Sequence, residues 1–214
     1  MNKYKIVSLV LVIALLATMA HLVATHKQAS QSSSTEATNT AEVVMHNILS
    51  RKSVRSYTDR AVSREQLDTL VRAAMAAPTG RDMRPWKFIV VDNKATIDSL
   101  APLLPYAKML KEAQAAIVVC GDLSVTDDEG KPSTNWTFDC SAATENLLLQ
   151  AEAMGLGAVW TGVYPYEERV AVVKKVFRLP SYIEPLCVIP IGYPKGNPQP
   201  KDKYKKENIH YNQW

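Results

Sequence analysis

Basic and hydroxyl side chains alternate in Arg51-Lys52-Ser53-Val54-Arg55-Ser56-Tyr57. The stretch follows an apolar helical pattern and reads as extended, so a period of two places Arg51, Ser53 and Arg55 on one face. Two guanidinia around a hydroxyl suit a phosphate, because the planar fork of donors matches its oxygens. The same alternation also serves as a solvated basic edge that discourages strand pairing, and the segment alone leaves both readings open. Near the other end of the chain Lys201-Asp202-Lys203 repeats the basic alternation, in a Pro-rich tail where lysines are commonly only solvated.

Two further segments have the composition of ligand loops. Ala77-Pro78-Thr79-Gly80-Arg81-Asp82-Met83-Arg84-Pro85-Trp86 leads from a helix into a strand. Gly80 lacks a Cβ and Pro78 fixes its own φ, which brings backbone close to a flat ligand, although composition by itself shows only a turn. Gly155 to Pro165 reads as helix cap, strand and loop, without the spacing or strand-before-helix order of a dinucleotide fingerprint. No Walker A sequence is present, and Asp127-Asp128-Glu129-Gly130 lacks the alternating oxygens of an EF-hand. Cys120, Cys140 and Cys187 are widely spaced with no histidine nearby, so they read as small buried hydrophobes rather than a metal site or redox pair. His21 and His26 fall outside the folded part, and His46 reads as a helix residue, so no nucleophile–base triad assembles. An enzyme without an acid–base kit can take its chemistry from a cofactor.

The elements that must position these segments alternate. Val43, Val44, Ile48 and Leu49 recur at helical spacing, and Ser63-x-x-Gln66 reads as a capping box opening a helix through Leu67, Leu70, Val71 and Ala74. Phe88–Val91, Ala116–Cys120, Ala158–Trp160 and Leu186–Ile189 read as short buried strands. A helix from about Phe138 to Met154, capped by Gly155, is apolar around most of its circumference and is expected to be central. Another is expected at Glu167 to Phe177. Helices alternating with strands give an α/β or α+β layered domain.

The first residues stand apart. Lys3 and Lys5 precede an apolar run from Ile6 to Ala20, extensible to Thr25, which reads as a signal peptide or membrane anchor over residues 1–25. Residues 26–42 are Ser-, Thr- and Gln-rich and read as a flexible linker, leaving 43–214 as one domain with a core. This predicts an exported or envelope-anchored protein, possible tether residues being 6–25. The net charge of +4 includes those two N-terminal lysines and is too small to suggest nucleic-acid binding.

Taken together and in order, Arg51-Lys-Ser-Val-Arg55, Ala77-Pro-Thr-Gly-Arg-Asp-Met-Arg-Pro-Trp86, Glu145-Asn-Leu-Leu-Leu149 with Gly155-Leu-Gly157, and Pro200-Lys-Asp-Lys203 resemble the FMN-dependent nitroreductase family across about Val43 to Trp214. The resemblance implies a three-layer α-β-α sandwich of the α+β class forming an intertwined homodimer, with FMN at the subunit interface. By it, Arg51, Lys52, Ser53 and Arg55 would hold the phosphate and ribityl chain, joined by Lys201 and Lys203. Pro78, Thr79 and Gly80 would reach the ring from the partner subunit. Trp160, Thr161, Gly162 and Val163 would lie along the ring, the Gly162 amide near N5. The family's second C-terminal cation is usually Arg, so Lys203 loses a fork of donors. Asp82 and Arg84 stand where Asn and Gln are common, and no ring contact is assigned to them. The implied activity is ping-pong reduction of nitroaromatics, quinones or similar acceptors by NAD(P)H, with no catalytic side chain and no metal. Alternatives are another flavin chemistry of the same family, such as dehalogenation or dehydrogenation, or a cell-envelope binding module without turnover.

Overall fold

The computed structural model describes residues 15–25 and 39–214. The chain separates by compactness into Met1–His46 and Asn47–Trp214. In the first unit, residues 15–25 are helical and leave Leu15, Leu16, Met19, Leu22 and Val23 exposed. The expected signal or anchor lies mostly outside the described residues, as does most of the expected linker. Among the described residues no helix is long and apolar enough to cross a membrane.

Helix α1 covers residues 39–50, so it starts inside the stretch that composition assigned to the linker. Helix α2, Arg64–Met75, opens on the expected capping box: Gln66 N donates to Ser63 Oγ at 3.3 Å and Ser63 N to Gln66 Oε1 at 3.1 Å. Strand β1 (Trp86–Val91), helix α3 (Lys94–Leu100), strand β2 (Ala115–Asp122) and helix α4 (Trp136–Ala153) follow. Then come β3 (Gly157–Ala158), β4 (Thr161–Gly162), α5 (Glu167–Phe177) and β5 (Ile183–Gly192). Gly155, at φ +68°, ends α4 as expected, with Leu156 N returning to Ala151 O at 2.8 Å in a Schellman arrangement.

The sheet order is β1-β2-β5-β3 with β4 also on β5, and every ladder is antiparallel. Alternation along β2 sorts the core into two halves. Ala115, Ile117 and Val119 join the cluster of α2 and α4, while Ala116, Val118 and Cys120 join that of α3 and α5. This is the three-layer α-β-α sandwich, of mixed α+β class. Helix α4 lies against β2 with Cys140, Ala143, Leu147 and Ala151 fully buried, as an apolar pattern around most of its circumference predicts.

Two strand expectations change. The expected Ala158–Trp160 strand is one run on β5, interrupted at Val159–Trp160: Gly157↔Gly192, Ala158↔Ile191, Thr161↔Val188 and Gly162↔Cys187 share a single register. Strand β5 continues past the prolines that bounded the expected Leu186–Ile189. Pro185 sits beside a bulge in β5, where the step from Cys187 to Pro185 passes over Leu186 and matches the single step Val119 to Cys120 on β2, a place where a missing N–H is tolerated.

Candidate functional site

The Arg51–Tyr57 segment is laid across the sheet but does not keep the strict alternation expected of it: Val54 and Tyr57, three positions apart, are both buried, and Lys52 lines the same cavity as Arg51, Ser53 and Arg55. Ser53 bridges Ala158, Val54 N donates to Ala158 O at 3.0 Å, and Tyr57 bridges Pro194. Val54 and Tyr57 point inward while Ser53 and Arg55 are exposed. The buried Tyr57 hydroxyl donates within reach of Val54 O at 2.7 Å and Pro190 O at 3.2 Å, and burial raises its phenol above the usual range. Glu112 fastens the outer edge, accepting from Ser56 Oγ at 2.8 Å and Tyr57 N at 3.1 Å, and the Ser56 bond holds its carboxyl below the ordinary value.

This placement explains two glycines. Gly157 and Gly192 face each other on one rung, and the strap lies over both. A Cβ on Gly157 would meet Val54 Cγ1 at 2.6 Å, and one on Gly192 would meet Tyr57 Cβ at 3.0 Å. The rung is a trough that only bare backbone provides.

Along the outer side of the strap, Arg51, Lys52, Ser53 and Arg55 line a cavity of about 220 Å³ together with Gln199, Lys201 and Lys203. The two basic segments from opposite ends of the domain therefore converge. Arg51 Nε lies 3.1 Å from Glu145 and Lys52 Nζ 2.6 Å from Glu152, both on α4, so two of the five cations are already oriented by carboxylates. Gln199 was not singled out from the sequence, since nothing distinguishes it within a polar, Pro-rich tail.

Trp160 to Val163 continue from the same place. Ala158 bridges Ser53, and Gly162 follows four positions later, about 13 Å along an extended chain. Gly162 has nothing within 4 Å of where a Cβ would stand, so bare backbone borders open space. Thr161 is buried and its hydroxyl donates to Val188 O, Val163 N donates to Leu186 O at 3.0 Å, and Arg169 Nη1 donates to Gly162 O at 3.0 Å.

Pro78, Thr79 and Gly80 lie elsewhere. Gly80 N donates to Asp139 Oδ1 at 3.0 Å near the start of α4, whereas Lys52 meets Glu152 near its end, about 20 Å further on at 1.5 Å per residue. Beyond Gly80, Arg81, Asp82 and Arg84 all have φ near +50°, a left-handed conformation costly for side-chain residues. Asp82 and Arg84 are ion-paired with each other, and Arg81 with Asp127. The cysteines are buried as expected, and burial raises the Cys120 and Cys140 thiols to about 12. No cluster of metal-ligating side chains occurs among the described residues.

The three-layer fold is that of the nitroreductase-type flavin oxidoreductases. The model of the nitroreductase family matches residues 48–105 and 103–193, and the chain belongs to that family. A Methanothermobacter thermautotrophicus protein named "Putative NADH dehydrogenase/NAD(P)H nitroreductase" is 43% identical over 80% of this chain and 87% of its own. A Bacteroides thetaiotaomicron crystal structure of the same name is 53% identical, with TM-score 0.76 over 80% of this chain and 98% of that one. An FMN-dependent nitroreductase from Clostridium difficile is 29% identical, with TM-score 0.68 over 77% and 96% of the two chains. The protein is an NAD(P)H-dependent oxidoreductase of this class.

Proposed function

We propose that the chain binds FMN with its phosphate in the cavity of Arg51, Lys52, Ser53, Arg55, Lys201 and Lys203, and its ring along Trp160 to Val163. The carrying observation is the convergence of five cations and a hydroxyl from the two ends of the domain on one cavity. A phosphate dianion fits that donor set, because Arg51 and Arg55 offer forks and the lysines point charges. The open space at Gly162, about 13 Å from the Ser53 bridge, suits an elongated ligand with phosphate at one end and flat ring at the other.

FMN held there would supply two-electron chemistry, between reduced nicotinamide as donor and an electron-poor acceptor such as a nitroaromatic or quinone. The residues of this chain bind and orient. Gly162 presents backbone where a side chain would block approach, and the side chains assigned to the ring need not titrate. Replacing Arg51 with Ala should weaken FMN binding about ten- to hundredfold, the loss of one charge-assisted contact of about 1.5 to 3 kcal/mol. Flavin fluorescence titration measures it; unchanged affinity overturns the phosphate assignment, and a protein that takes up no FMN overturns the flavin site.

The ring site is completed by a second copy of the chain. By the family resemblance Pro78–Gly80 reach the ring of the partner; in this chain they stand at the Asp139 end of α4, about 20 Å along it from the Glu152 end that meets Lys52. Phe138, Ile209, Tyr211 and Trp214 are also exposed, Trp214 at 99%, although residues of this kind are commonly covered. An intertwined interface commonly buries more than about 2,000 Å², so folded monomer should be absent even at nanomolar concentration. Sedimentation of a folded, flavin-loaded monomer would falsify this.

Residues 6–25 are proposed to direct export or to tether the protein to the envelope. The described part of that run, residues 15–25, is a helix with its large apolar side chains exposed, a surface that calls for a membrane or for removal.

A further inference from the structure

Arg169 occupies the first turn of α5, where the helix dipole favours anions and where Glu167 and Glu168 also stand. A cation there is electrostatically misplaced unless something else holds it. Three contacts do. Its guanidinium carbon lies 3.9 Å from the centroid of the Tyr166 ring and 4.2 Å from that of Tyr106, and Nη1 donates to Gly162 O at 3.0 Å. The two tyrosines are exposed, Tyr106 at 70% and Tyr166 at 48%, yet Arg169 is half-buried.

The peptide it holds is the one most in need of holding. Gly162 has no Cβ, borders open space and can adopt backbone conformations closed to other residues. The Gly162–Val163 peptide is tied at both ends, its N–H to Leu186 O and its carbonyl to Arg169. The second tie is charge-assisted and resists rotation of a peptide that glycine would otherwise leave free. Tyr106 belongs to the segment after α3 and Tyr166 precedes α5, so the stack also fastens two elements to this point.

We propose that Arg169, clamped between Tyr106 and Tyr166, is a positioning residue that fixes the orientation of the Gly162–Val163 peptide against the flavin ring. This rests on the FMN reading above. A misoriented peptide would leave FMN bound, since the phosphate cavity is separate, but would turn Gly162, and with it the Gly162 N–H on its Thr161 side, away from the reacting edge of the ring.

The test uses the full chain in three steps. FMN is first titrated into the parent. Hydrogen exchange of the Gly162 and Val163 amides is then followed in ligand-free parent and in Arg169→Met, which keeps the length of the side chain without its charge. Finally, FMN dissociation constant and the rate of flavin reduction by NADH are measured for both. The expected result is exchange at least about tenfold faster at those amides and flavin reduction about tenfold slower, with FMN affinity within threefold and melting temperature little changed. Should Arg169→Met fail to fold, the exposed pair Tyr106→Ala with Tyr166→Ala is expected to move exchange and reduction in the same directions. A parent that takes up no FMN overturns the flavin reading and the purpose given to Arg169. A parent that binds FMN, with variants exchanging and reducing at its own rates, overturns the Arg169 assignment alone.

Discussion

Cys140 and Cys187 sit at the contact between sheet and α4, where Cys140 Sγ lies 3.4 Å from the backbone O of Cys120 and Cys187 Sγ 3.8 Å from Thr144 Oγ1, while the Cys120 side chain faces the core half of α3 and α5. Burial is the main cause that raises all three thiols, Cys120 and Cys140 to about 12, against an ordinary value of 9.0. Above pH 9 the unfolded chain sheds thiol protons that the folded chain keeps. Unfolding therefore releases protons, and stability falls as pH rises from about 9 toward 12. Melting temperature should decline across that window, with a shallower slope in Cys140→Ala. At pH 8 a thiol reagent should label none of the three until the protein is unfolded; rapid labelling of the native protein overturns their burial. The sequence supports this inert role because the cysteines fall inside apolar strand and helix patterns. It offers no route to Glu145 and Glu152 as partners of Arg51 and Lys52, since those pairings depend on how α4 lies beneath the strap.

Among the elements, the strap of residues 51–57 depends on the Gly157–Gly192 rung more than on its own propensity. A methyl group at position 157 collides with Val54, whose backbone is tied to Ala158 in the same rung region. Gly157→Ala should thus cost about 1 to 3 kcal/mol in urea unfolding, as overpacking does, and also weaken FMN binding by shifting Ser53 and Arg55. Lost stability with unchanged FMN affinity would show that the rung does not align the cations. How much of this was legible follows local periodicity. The capping box, α5 and the apolar pattern around most of α4 are local signals and appear as expected. The full length of β5 is not, because Pro185 and Pro190 look like boundaries until a bulge and partner strands accommodate them. The pairing of the strap with Ala158 and Pro194 joins residues over a hundred positions apart, and no local pattern encodes it. Its convergence with Lys201 and Lys203 was reached only through family resemblance.

For the whole molecule, the N-terminal region is a compact unit of its own, and the lining of the cation cavity includes no residue of it. Deleting Met1 to Thr40 should raise solubility while leaving melting temperature and turnover within error, and full-length protein should fractionate with the envelope. An unfolded truncation, or an uncleaved full-length chain wholly in the cytosol of its native host, overturns the targeting proposal. A last consequence concerns time. One jaw of the cation cavity ends at Arg55 and the other begins at Gln199, while the last strand of the sheet is complete at Gly192. Synthesis from the N-terminus delivers every strand before it delivers the second jaw. The fold's central layers can thus assemble on a chain still unable to grip a phosphate from both sides, which makes cofactor capture one of the last events in the protein's maturation. For a chain exported before it folds, that event belongs to the destination and not to the place of synthesis.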